Sequence, residues 1–357
     1  MTQTTKFSTQ DLIELRKKIG QWAQSLGFQA VGISDIQLNE AEKHLHQWLD
    51  KGYHGTMNYM QHHGSKRSQP NELIPGTTSI ISLRMDYFPP HSKEANDVLA
   101  DPQAAYISRY ALGRDYHKVL RKRIQQLANL IEQHIGPFGH RVFVDSAPVL
   151  EKPIAEKAGL GWIGKHSNLL SRESGSWYFL GELYIDLPLP PDQPLENHCG
   201  TCTACIDACP TKAIVEPYVV DARLCISYLT IEHHGPIPVE LRKPMGNRIY
   251  GCDDCQLYCP WNRFSKESNE ADFTVRHQLD DITLVELFEW DEQTFLKKTE
   301  GSPVRRIGYE RWLRNIAVAL GNAKSHQDIL YVLKKKQHST TPLVKEHIQW
   351  ALDQHRK

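Results

Sequence analysis

The sequence predicts an α+β protein with more than one domain. Its 357 residues exceed what one typical hydrophobic core accommodates. Helical and strand-like patterns alternate in the first half of the chain, whereas patterns of short helices fill the carboxyl-terminal part. All eight cysteines lie in one central segment, from Cys199 to Cys259. We therefore expect three domains, at residues 1–187, 188–264 and 265–357.

The first domain is expected to combine long helices with a sheet. Apolar residues at helical spacing predict a helix over residues 10–27, followed by a buried strand at 30–34. Further strands are predicted at 79–83 and 141–145, with a long helix from about 116 to 134 between them. A proline-dense stretch at 187–194 cannot continue a helix or a central strand, so the domain boundary is placed there.

The amino-acid composition excludes a fibrous or disordered protein, and it does not indicate what the protein binds. The formal net charge is zero, with 40% hydrophobic and 24% charged residues. The amino terminus has no basic stretch followed by an apolar one, and no apolar run approaches the roughly 20 residues that span a bilayer. We expect a cytoplasmic protein without a membrane partner, in which a disulfide framework is disfavoured.

The neutral total conceals a charge asymmetry near the carboxyl terminus. Residues 265–300 carry four Lys or Arg against ten Asp or Glu, a net charge of −6, and residues 301–357 carry eleven against four, a net charge of +7. Three helices are predicted in the basic part, at about 311–320, 328–336 and 342–355, and they suggest a HEAT-like repeat. Its arginines form either a solvated face or a nucleic-acid surface.

The cysteine spacing is typical of a protein with two [4Fe-4S] clusters. Cys199-x2-Cys202-x2-Cys205-x3-Cys209-Pro is the bacterial ferredoxin run, whose fourth cysteine binds the neighbouring cluster. A second set, Cys252-x2-Cys255-x3-Cys259-Pro, repeats its latter half, and Cys225 is the remaining ligand. Exchange of the fourth ligands assigns one cluster to Cys199, Cys202, Cys205 and Cys259 and the other to Cys209, Cys225, Cys252 and Cys255.

Zinc is the structural alternative for these cysteines. C-x2-C pairs also suit tetrahedral zinc, but an unbroken four-cysteine run is awkward for a single zinc ion. Two neighbouring clusters form an electron relay, which does not identify what is reduced.

Several longer motifs resemble the epoxyqueuosine reductase family, which is cobalamin-dependent and contains iron-sulfur clusters. The resemblance covers nearly the whole chain. The motifs are 107–117 (ISRYALGRDYH), 145–153 (DSAPVLEKP), 158–168 (AGLGWIGKHSN), 225–232 (CISYLTIE), 301–306 (GSPVRR) and 313–315 (LRN), together with both cysteine sets. The family implies a cobalamin-binding amino-terminal domain, a ferredoxin-like domain and a HEAT-like domain that binds tRNA. It also implies reduction of epoxyqueuosine to queuosine at the tRNA wobble position.

The resemblance also implies roles for individual residues. Asp145 matches the family's proton donor and is part of the cofactor pocket. The other implied cofactor residues are Arg67, Arg109, Tyr110, Lys165, Ser167, Asn168, Leu169 and Ser227. We expect Arg305, Arg306 and Arg314 to contact the phosphates of the anticodon stem-loop. An external low-potential donor would supply electrons, and His117 is not assumed to bind cobalt because residues 115–120 (DYHKVL) lack the D-x-H-x-x-G signature.

Residue chemistry supports an acid beside the substrate. Release of an epoxide oxygen as water requires electrons and protons, and a desolvated pocket would raise the pKa of Asp145 and keep it protonated. Alternatively, Asp145 caps the following helix, and Glu151 is the nearest rival acid. Two other functions stay open, a reductase of a small molecule, like the reductive dehalogenases, and a pure electron carrier. The basic carboxyl-terminal part argues against both.

Overall fold

The structure, a computed structural model, describes residues 7–356. Residues 1–6 and 357, which the predicted domains include, lie outside this part. The strands are β1 (Ala30–Ser34), β2 (Ser79–Asp86), β3 (Tyr106–Ile107), β4 (His140–Phe143), β5 (Trp162–Ile163), β6 (Leu169–Leu170), β7 (Tyr178–Ile185), β8 (Ile214–Glu216), β9 (Val219–Val220) and β10 (Arg248–Tyr250).

Helices account for most of the remaining regular structure. They are α1 (Thr9–Ser25), α2 (Asn39–Asp50), α3 (Pro70–Leu73), α4 (Ala95–Ala100), α5 (Tyr116–Ile135), α6 (Glu151–Lys157), α7 (Ala204–Ala208), α8 (Ile226–Ile231), α9 (Val239–Arg242), α10 (Asp254–Leu257), α11 (Leu284–Glu289), α12 (Glu292–Lys298), α13 (Gly308–Asn322), α14 (Gln327–Gln337) and α15 (Pro342–Gln354). This mixture of helix and sheet agrees with the α+β prediction.

A four-stranded antiparallel sheet, in the order β1-β2-β7-β4, organises the first half of the chain. Because side chains alternate between the faces of a sheet, each face has its own partners. On one face, Leu83 and Leu183 pack with apolar residues of α1 and α5. On the other face, Ile80 and Tyr184 pack with Ile154 of α6. The centre of the sheet is therefore buried on both sides, and β2 and β7 contain only buried residues.

Local sequence explains where the main helices begin. Ser8 and Asp11 form a reciprocal capping box at the start of α1. The Asp115 carboxylate accepts the backbone N–H of His117 at 3.0 Å and so caps α5. Helix α5 ends before Gly136, as the Gly-Pro-Phe-Gly sequence predicted. This cap fixes His117 at the amino end of α5, next to the site described below.

The proline-dense stretch at 187–194 lies against the sheet. Asp192 accepts the backbone N–H of Ile33 at 2.8 Å and donates its own N–H to the Ile33 carbonyl at 2.9 Å. Arg16 donates to both Asp192 and the Val31 carbonyl. These contacts cover the open edge of β1, so the stretch completes the first half of the protein as well as leading to the cysteines.

The carboxyl-terminal helices share their core with earlier parts of the chain. Ile107 and Leu112 of the first predicted domain and Tyr250 of the second lie in one buried apolar cluster with Phe288 and Trp312. Helix α13 packs mainly on α15. The three predicted helices are thus present, while the HEAT-like arrangement and the three-domain division stay predictions.

The other predicted elements agree with the structure except at one end. The predicted helices and strands of the first half are present with small shifts of their ends. Strand β4, however, ends at Phe143 and not at Asp145. Asp145 therefore belongs to the loop between β4 and α6.

Candidate functional site

Four of the cysteines surround one cavity of about 250 Å³. They are the four assigned to the first cluster, Cys199, Cys202, Cys205 and Cys259. Burial, and then the negative charges of the other three thiolates, raises the pKa of Cys205 to about 11. Cys202 is exposed, so this cavity reaches the protein surface. The structure thus brings the first predicted set together.

The other four cysteines form a second group, in which each residue is partly buried. Burial raises the pKa of Cys255, and the charges of Cys225 and Cys209 raise it further. Burial and the charges of Asp254 and Cys225 likewise raise the pKa of Cys252. Charge interactions therefore connect all four members of the second predicted set. Cys225, distant in sequence, is brought in by its position at the amino end of α8.

The thiol geometry suits clusters better than zinc. Four sulfurs around zinc would each lie about 2.3 Å from the metal. Within residues 7–356, no group of three or more His, Cys, Asp or Glu side chains converges on a single-ion site. A cavity lined by four thiols instead has room for a cubane, which binds one cysteine at each iron.

A larger cavity of about 840 Å³ lies beside the second thiol group. Cys225 and Ser227 are part of its wall, with Lys152 and Ser167 elsewhere in the lining. Its apolar and aromatic lining includes Trp48, Met57, Met60, Leu150, Tyr228 and Ile231. An apolar cavity with a few polar groups is typical of a cofactor or ligand site. Of the predicted cofactor residues, Ser167 and Ser227 lie in this wall.

Close packing fixes the polar side chains of this cavity. Lys152 Nζ donates to the Ser167 carbonyl at 3.0 Å and to Asn168 Oδ1 at 3.2 Å, which ties α6 to the 164–168 turn. The Tyr228 hydroxyl accepts the Thr56 backbone N–H at 2.8 Å. Gly55 allows this approach, since a Cβ there would lie 2.4 Å from the hydroxyl and its φ is +57°.

The other seven predicted cofactor residues, among them Arg109, Asp145 and Asn168, lie outside the lining of this cavity. Lys165 lines the first thiol cavity and donates to the Gly200 and Cys202 carbonyls. Arg67 is buried and donates to the Tyr59 carbonyl at 2.9 Å. Leu169 is buried in β6. Tyr110 lines a third cavity near His117.

Arg109, another predicted cofactor residue, is buried at some distance from this lining. Its guanidinium is 4% exposed, donates to Ser92 Oγ at 2.8 Å and lies 4.6 Å from the Phe88 ring centre. A buried arginine that stacks on an aromatic ring has little freedom to reach another group. The backbone N–H of Arg109 donates to Asp253, and its cofactor role stays a prediction.

Asp145 forms the centre of a compact polar group. Its Oδ1 lies 2.7 Å from His117 Nε2, and its Oδ2 accepts a hydrogen bond from the Tyr116 hydroxyl. Burial favours the neutral carboxyl, but the hydrogen bonds from His117 and Tyr116 and the charge of His117 hold the pKa of Asp145 below its usual value. The predicted rise in the pKa of Asp145 is therefore wrong, because hydrogen bonds from His117 and Tyr116 outweigh the effect of burial.

The proton belongs instead to His117. Its Nδ1 lies 2.6 Å from Asp115 Oδ1, so the imidazole bridges two carboxylates. Burial opposes the charge, but the hydrogen bonds and charges of Asp115 and Asp145 raise the pKa of His117 to about 9. Near neutral pH this group is an imidazolium that shares its proton with Asp145. Tyr116 and Asp115 were not predicted, although all three residues lie in the 107–117 motif.

Relatives identify the family. A protein of Pseudomonas aeruginosa named epoxyqueuosine reductase is 59% identical over 349 residues, covering 98% of this chain and 96% of its own length. The chain belongs to the epoxyqueuosine reductase family. An Escherichia coli K12 epoxyqueuosine reductase is also 59% identical, over 96% of this chain and 90% of its own. Like them, the chain is an oxidoreductase.

Family models and solved structures agree with this membership. The model for "Epoxyqueuosine reductase QueG, DUF1730" matches residues 67–146, and that for a "4Fe-4S double cluster binding domain" matches residues 198–262. A crystal structure of epoxyqueuosine reductase with an epoxyqueuosine-modified tRNA-Tyr stem loop has a TM-score of 0.89 and 27% identity, covering 97% of this chain and 91% of the other. Epoxyqueuosine reductase from Bacillus subtilis, with its catalytic loop swung out of the active site, has a TM-score of 0.88 and 27% identity over 96% and 91% of the two chains.

In this member of the epoxyqueuosine reductase family, a third cavity of about 330 Å³ joins the His117 group to two arginines. Asp115, Tyr116 and His117 line one side, and Arg305 and Arg306 line the other. Both arginines are exposed. Arg306 pairs with Glu232, a residue that also lines the large cavity. The two predicted phosphate-binding arginines thus lie close to the candidate acid.

Arg314 is placed differently, and its predicted RNA contact is contradicted. Its side chain is fully buried. The guanidinium donates to the carbonyls of Leu229, His233 and Gly235 and to Asn315 Oδ1. With its donors occupied by the protein, it cannot bind a phosphate. Arg314 instead holds α13 against α8 and the loop that follows α8.

Within residues 7–356, no helix is long and apolar enough to cross a membrane.

Glu151, the rival acid, begins α6 and is partly buried. Burial, and then the charge of Asp145, raise the pKa of Glu151 to about 8. It is therefore a protonated carboxyl near neutral pH.

Proposed function

We propose that this chain reduces the epoxide of epoxyqueuosine to the alkene of queuosine at the wobble position of tRNA. The observation that carries the proposal is the position of His117, which is hydrogen-bonded to Asp145 and lines the same cavity as Arg305 and Arg306. Such a site offers a proton and cations for phosphates side by side. The relatives' name and the structural neighbour with a modified tRNA stem loop support the same substrate.

We infer that electrons enter from an external low-potential donor and pass through two [4Fe-4S] clusters. The first thiol group reaches the surface at the exposed Cys202, and the second adjoins the large cavity at Cys225. Electrons would thus pass from the cluster near the solvent to the cluster beside the large cavity. We place the protein in the cytoplasm, with its tRNA substrate.

The large cavity is our proposed cobalamin site. Its volume of about 840 Å³, its mostly apolar wall and its contact with Cys225 fit a bulky redox cofactor that receives electrons from a cluster. Lys152, Ser167 and Ser227 would meet the polar groups of cobalamin, and Trp48 and Tyr228 would contact its apolar surface. When bound, cobalamin supplies a strongly reducing cobalt centre. The remaining predicted residues stay proposed cofactor residues: Arg67, Arg109, Tyr110, Lys165, Asn168 and Leu169.

The protein's own chemical contribution is acid catalysis. Conversion of an epoxide to an alkene breaks both C–O bonds, consumes two electrons and two protons, and releases the oxygen as water. The His117–Asp145 pair holds one proton at a hydrogen bond of 2.7 Å. We assign to Asp145 the transfer of that proton to the substrate oxygen, with His117 as the group that recharges it and Tyr116 as a positioning residue.

Recognition of RNA is assigned to the carboxyl-terminal part. Arg305 and Arg306 are exposed and line the cavity that is also lined by His117. We propose that they bind phosphates of the anticodon stem-loop and leave the modified base facing Asp145. The tRNA-binding HEAT-like domain at 265–357, the catalytic domain at 1–187 and the cluster domain at 188–264 are part of this proposal.

The deciding experiment is an anaerobic assay with a tRNA anticodon stem-loop that contains epoxyqueuosine. The reconstituted protein, a chemical reductant and cobalamin should convert the epoxide to queuosine, detected as the loss of one oxygen by nucleoside mass spectrometry. Asp145→Asn is the matched control, since it keeps the size of the side chain. A holoprotein with both clusters and cobalamin that leaves the epoxide intact would refute the proposal.

A further inference from the structure

His166 is a buried residue of the turn between β5 and β6, and it lines the first thiol cavity. Its Nδ1 accepts the backbone N–H of Asn168 at 3.1 Å, so the hydrogen of the neutral ring lies on Nε2. Within the described residues, this Nε2 has no hydrogen-bond partner. A buried donor without a partner is unfavourable, so native proteins seldom retain one without a reason.

Close packing holds the His166 ring in this orientation. Ser167, the next residue, has a φ of +65°, and the Gly164 N–H donates to the Asn168 carbonyl at 2.9 Å, which closes a tight turn. Gly164 also leaves room for the ring, because a Cβ there would lie 3.1 Å from His166 Cε1 and 2.6 Å from Leu170 Cδ1. Turning the ring would break its bond to Asn168.

The same turn is attached directly to the cysteine loop. Lys165 Nζ donates to the Gly200 carbonyl at 2.7 Å and to the Cys202 carbonyl at 2.8 Å. From α6, Lys152 Nζ donates to the Ser167 carbonyl at 3.0 Å. These bonds hold the turn, and with it the imidazole, against the loop that carries the first cysteines.

The free donor of His166 therefore belongs to the wall of a cluster site. A cluster bound by the four thiols would occupy this cavity of about 250 Å³, so its sulfurs would contact the wall. The other lining residues with N–H groups in their side chains are bonded to protein or reach solvent: Lys165, His198, Trp261 and Arg263. A sulfur of the cluster is the acceptor that the chemistry of this cavity offers to the buried Nε2.

We propose that His166 donates a hydrogen bond from Nε2 to a sulfur of the first [4Fe-4S] cluster and thereby raises the reduction potential of that cluster. The inference rests on the proposed function, because it needs a cluster in the first thiol cavity. Reduction adds one electron, and the more negative cluster is stabilised more strongly by an N–H group than the oxidised cluster. The proton stays on Nε2 throughout, and the electron comes from the external donor.

This hydrogen bond would assist the entry of electrons. Cys202 is exposed, so the first cluster is the one that an external donor can reach. A raised potential favours this first transfer, because the equilibrium shifts towards the reduced cluster. Without the hydrogen bond, the same donor would leave a smaller fraction of the cluster reduced. His166 is thus assigned to electron entry and takes no part in the proton chemistry at Asp145.

The first test measures the midpoint potentials of both clusters by EPR-monitored redox titration of the holoprotein. His166→Phe keeps an aromatic ring and removes the donor. The equilibrium constant for reduction of one cluster should fall about tenfold, which corresponds to a decrease of about 59 mV for one electron. The other cluster should keep its midpoint. Unchanged midpoints in a folded His166→Phe protein with both clusters would overturn the proposal.

His166→Gln is the matched control, because its amide keeps an N–H donor near the position of Nε2. Its midpoints should stay close to those of wild type. His166→Leu has no donor and should behave like His166→Phe, so it replaces that variant if the phenyl ring prevents folding. If His166→Gln shifts the midpoint as far as His166→Phe, the shape of the side chain sets the potential, and the hydrogen bond is refuted.

The second test begins with the wild-type protein. When only the histidines are labelled with nitrogen-15, pulsed EPR of the reduced clusters should detect a weak nitrogen coupling. This coupling should be absent from His166→Gln, although the midpoint of that variant is retained. A wild-type protein without any histidine coupling would overturn the proposal, even if no His166 variant folds.

The outcomes separate this inference from the proposed function. A holoprotein with two clusters whose midpoints do not change in His166→Phe refutes only the hydrogen bond. A wild-type holoprotein that leaves epoxyqueuosine intact refutes the proposed function, while the midpoints and the nitrogen coupling still report on His166, because neither measurement requires turnover.

Discussion

His117 Nε2 lies 2.7 Å from Asp145 Oδ1, and the opposite ring nitrogen lies 2.6 Å from Asp115 Oδ1. An imidazole between two carboxylates is held in one orientation and is stabilised as a cation. The proposed acid is therefore a pair in which the histidine stores the proton and the aspartate transfers it to the substrate. This differs from a single aspartic acid with a raised pKa.

Substitution of Asp145 tests this pair. Asp145→Asn should retain iron content and fold but lose at least about 100-fold in turnover, the usual contribution of a general acid. The pKa of His117, about 9 in the native protein, should fall because one of its two carboxylates is neutralised. An NMR titration of the histidine ring measures this change. If Asp145→Asn turns over normally and Glu151→Gln does not, the acid is Glu151.

Single cysteine variants test the assignment of ligands to clusters. The native protein should contain about eight irons per chain, and loss of either cluster should leave about four. Cys259→Ala should remove the cluster near the surface, whereas Cys225→Ala should remove the one beside the large cavity. Iron analysis and EPR of anaerobic protein distinguish the two. Stoichiometric zinc without iron would contradict both assignments.

The sequence predicted the grouping of the cysteines better than the surroundings of Asp145, for a physical reason. Cluster ligands follow a short, regular spacing, so Cys199, Cys202 and Cys205 can be assigned from the chain alone. His117, the partner of Asp145, is 28 residues away in sequence, in the first turn of α5, and only the folded structure brings the two together. Arg314 could not be placed from the sequence for the same reason. Its charge is visible in the sequence, but its burial depends on contacts with α8.

Substitutions of Arg306 and Arg314 should have different effects. Arg306→Ala should weaken tRNA binding and lower the log-log slope of affinity against salt by about one unit, as loss of one phosphate contact predicts. Arg314→Ala should instead destabilise the fold by about 3 kcal/mol or more, because three buried carbonyls lose their donor. Filter binding at several salt concentrations and thermal unfolding measure the two effects.

Point variants are preferable here to removal of the carboxyl-terminal part. Phe288 and Trp312 share a buried cluster with Ile107 and Tyr250, so a chain cut after Glu300 would expose core residues of the remaining protein. A loss of tRNA binding in such a chain would not report on the arginines alone. An unchanged salt slope in a folded Arg306→Ala variant would show that Arg306 does not touch phosphate.

Glu182, which is buried in β7 on the face covered by α6, makes the stability of the fold depend on pH in a defined direction. Its pKa is raised above the usual 4.5 in the folded protein, so the unfolded chain releases this proton above pH 4.5 while the folded protein keeps it. Deprotonation therefore favours unfolding, and the free energy of unfolding should fall by about 1.4 kcal/mol per pH unit from this group alone. Glu182→Gln removes this dependence. The variant should gain stability over wild type progressively from pH 5 to pH 8, measured by chemical denaturation at each pH, while Tyr184→Phe should differ from wild type by a constant amount. A difference between Glu182→Gln and wild type that does not grow with pH would mean that Glu182 ionises normally, and the protonated carboxyl beneath α6 would have to be abandoned.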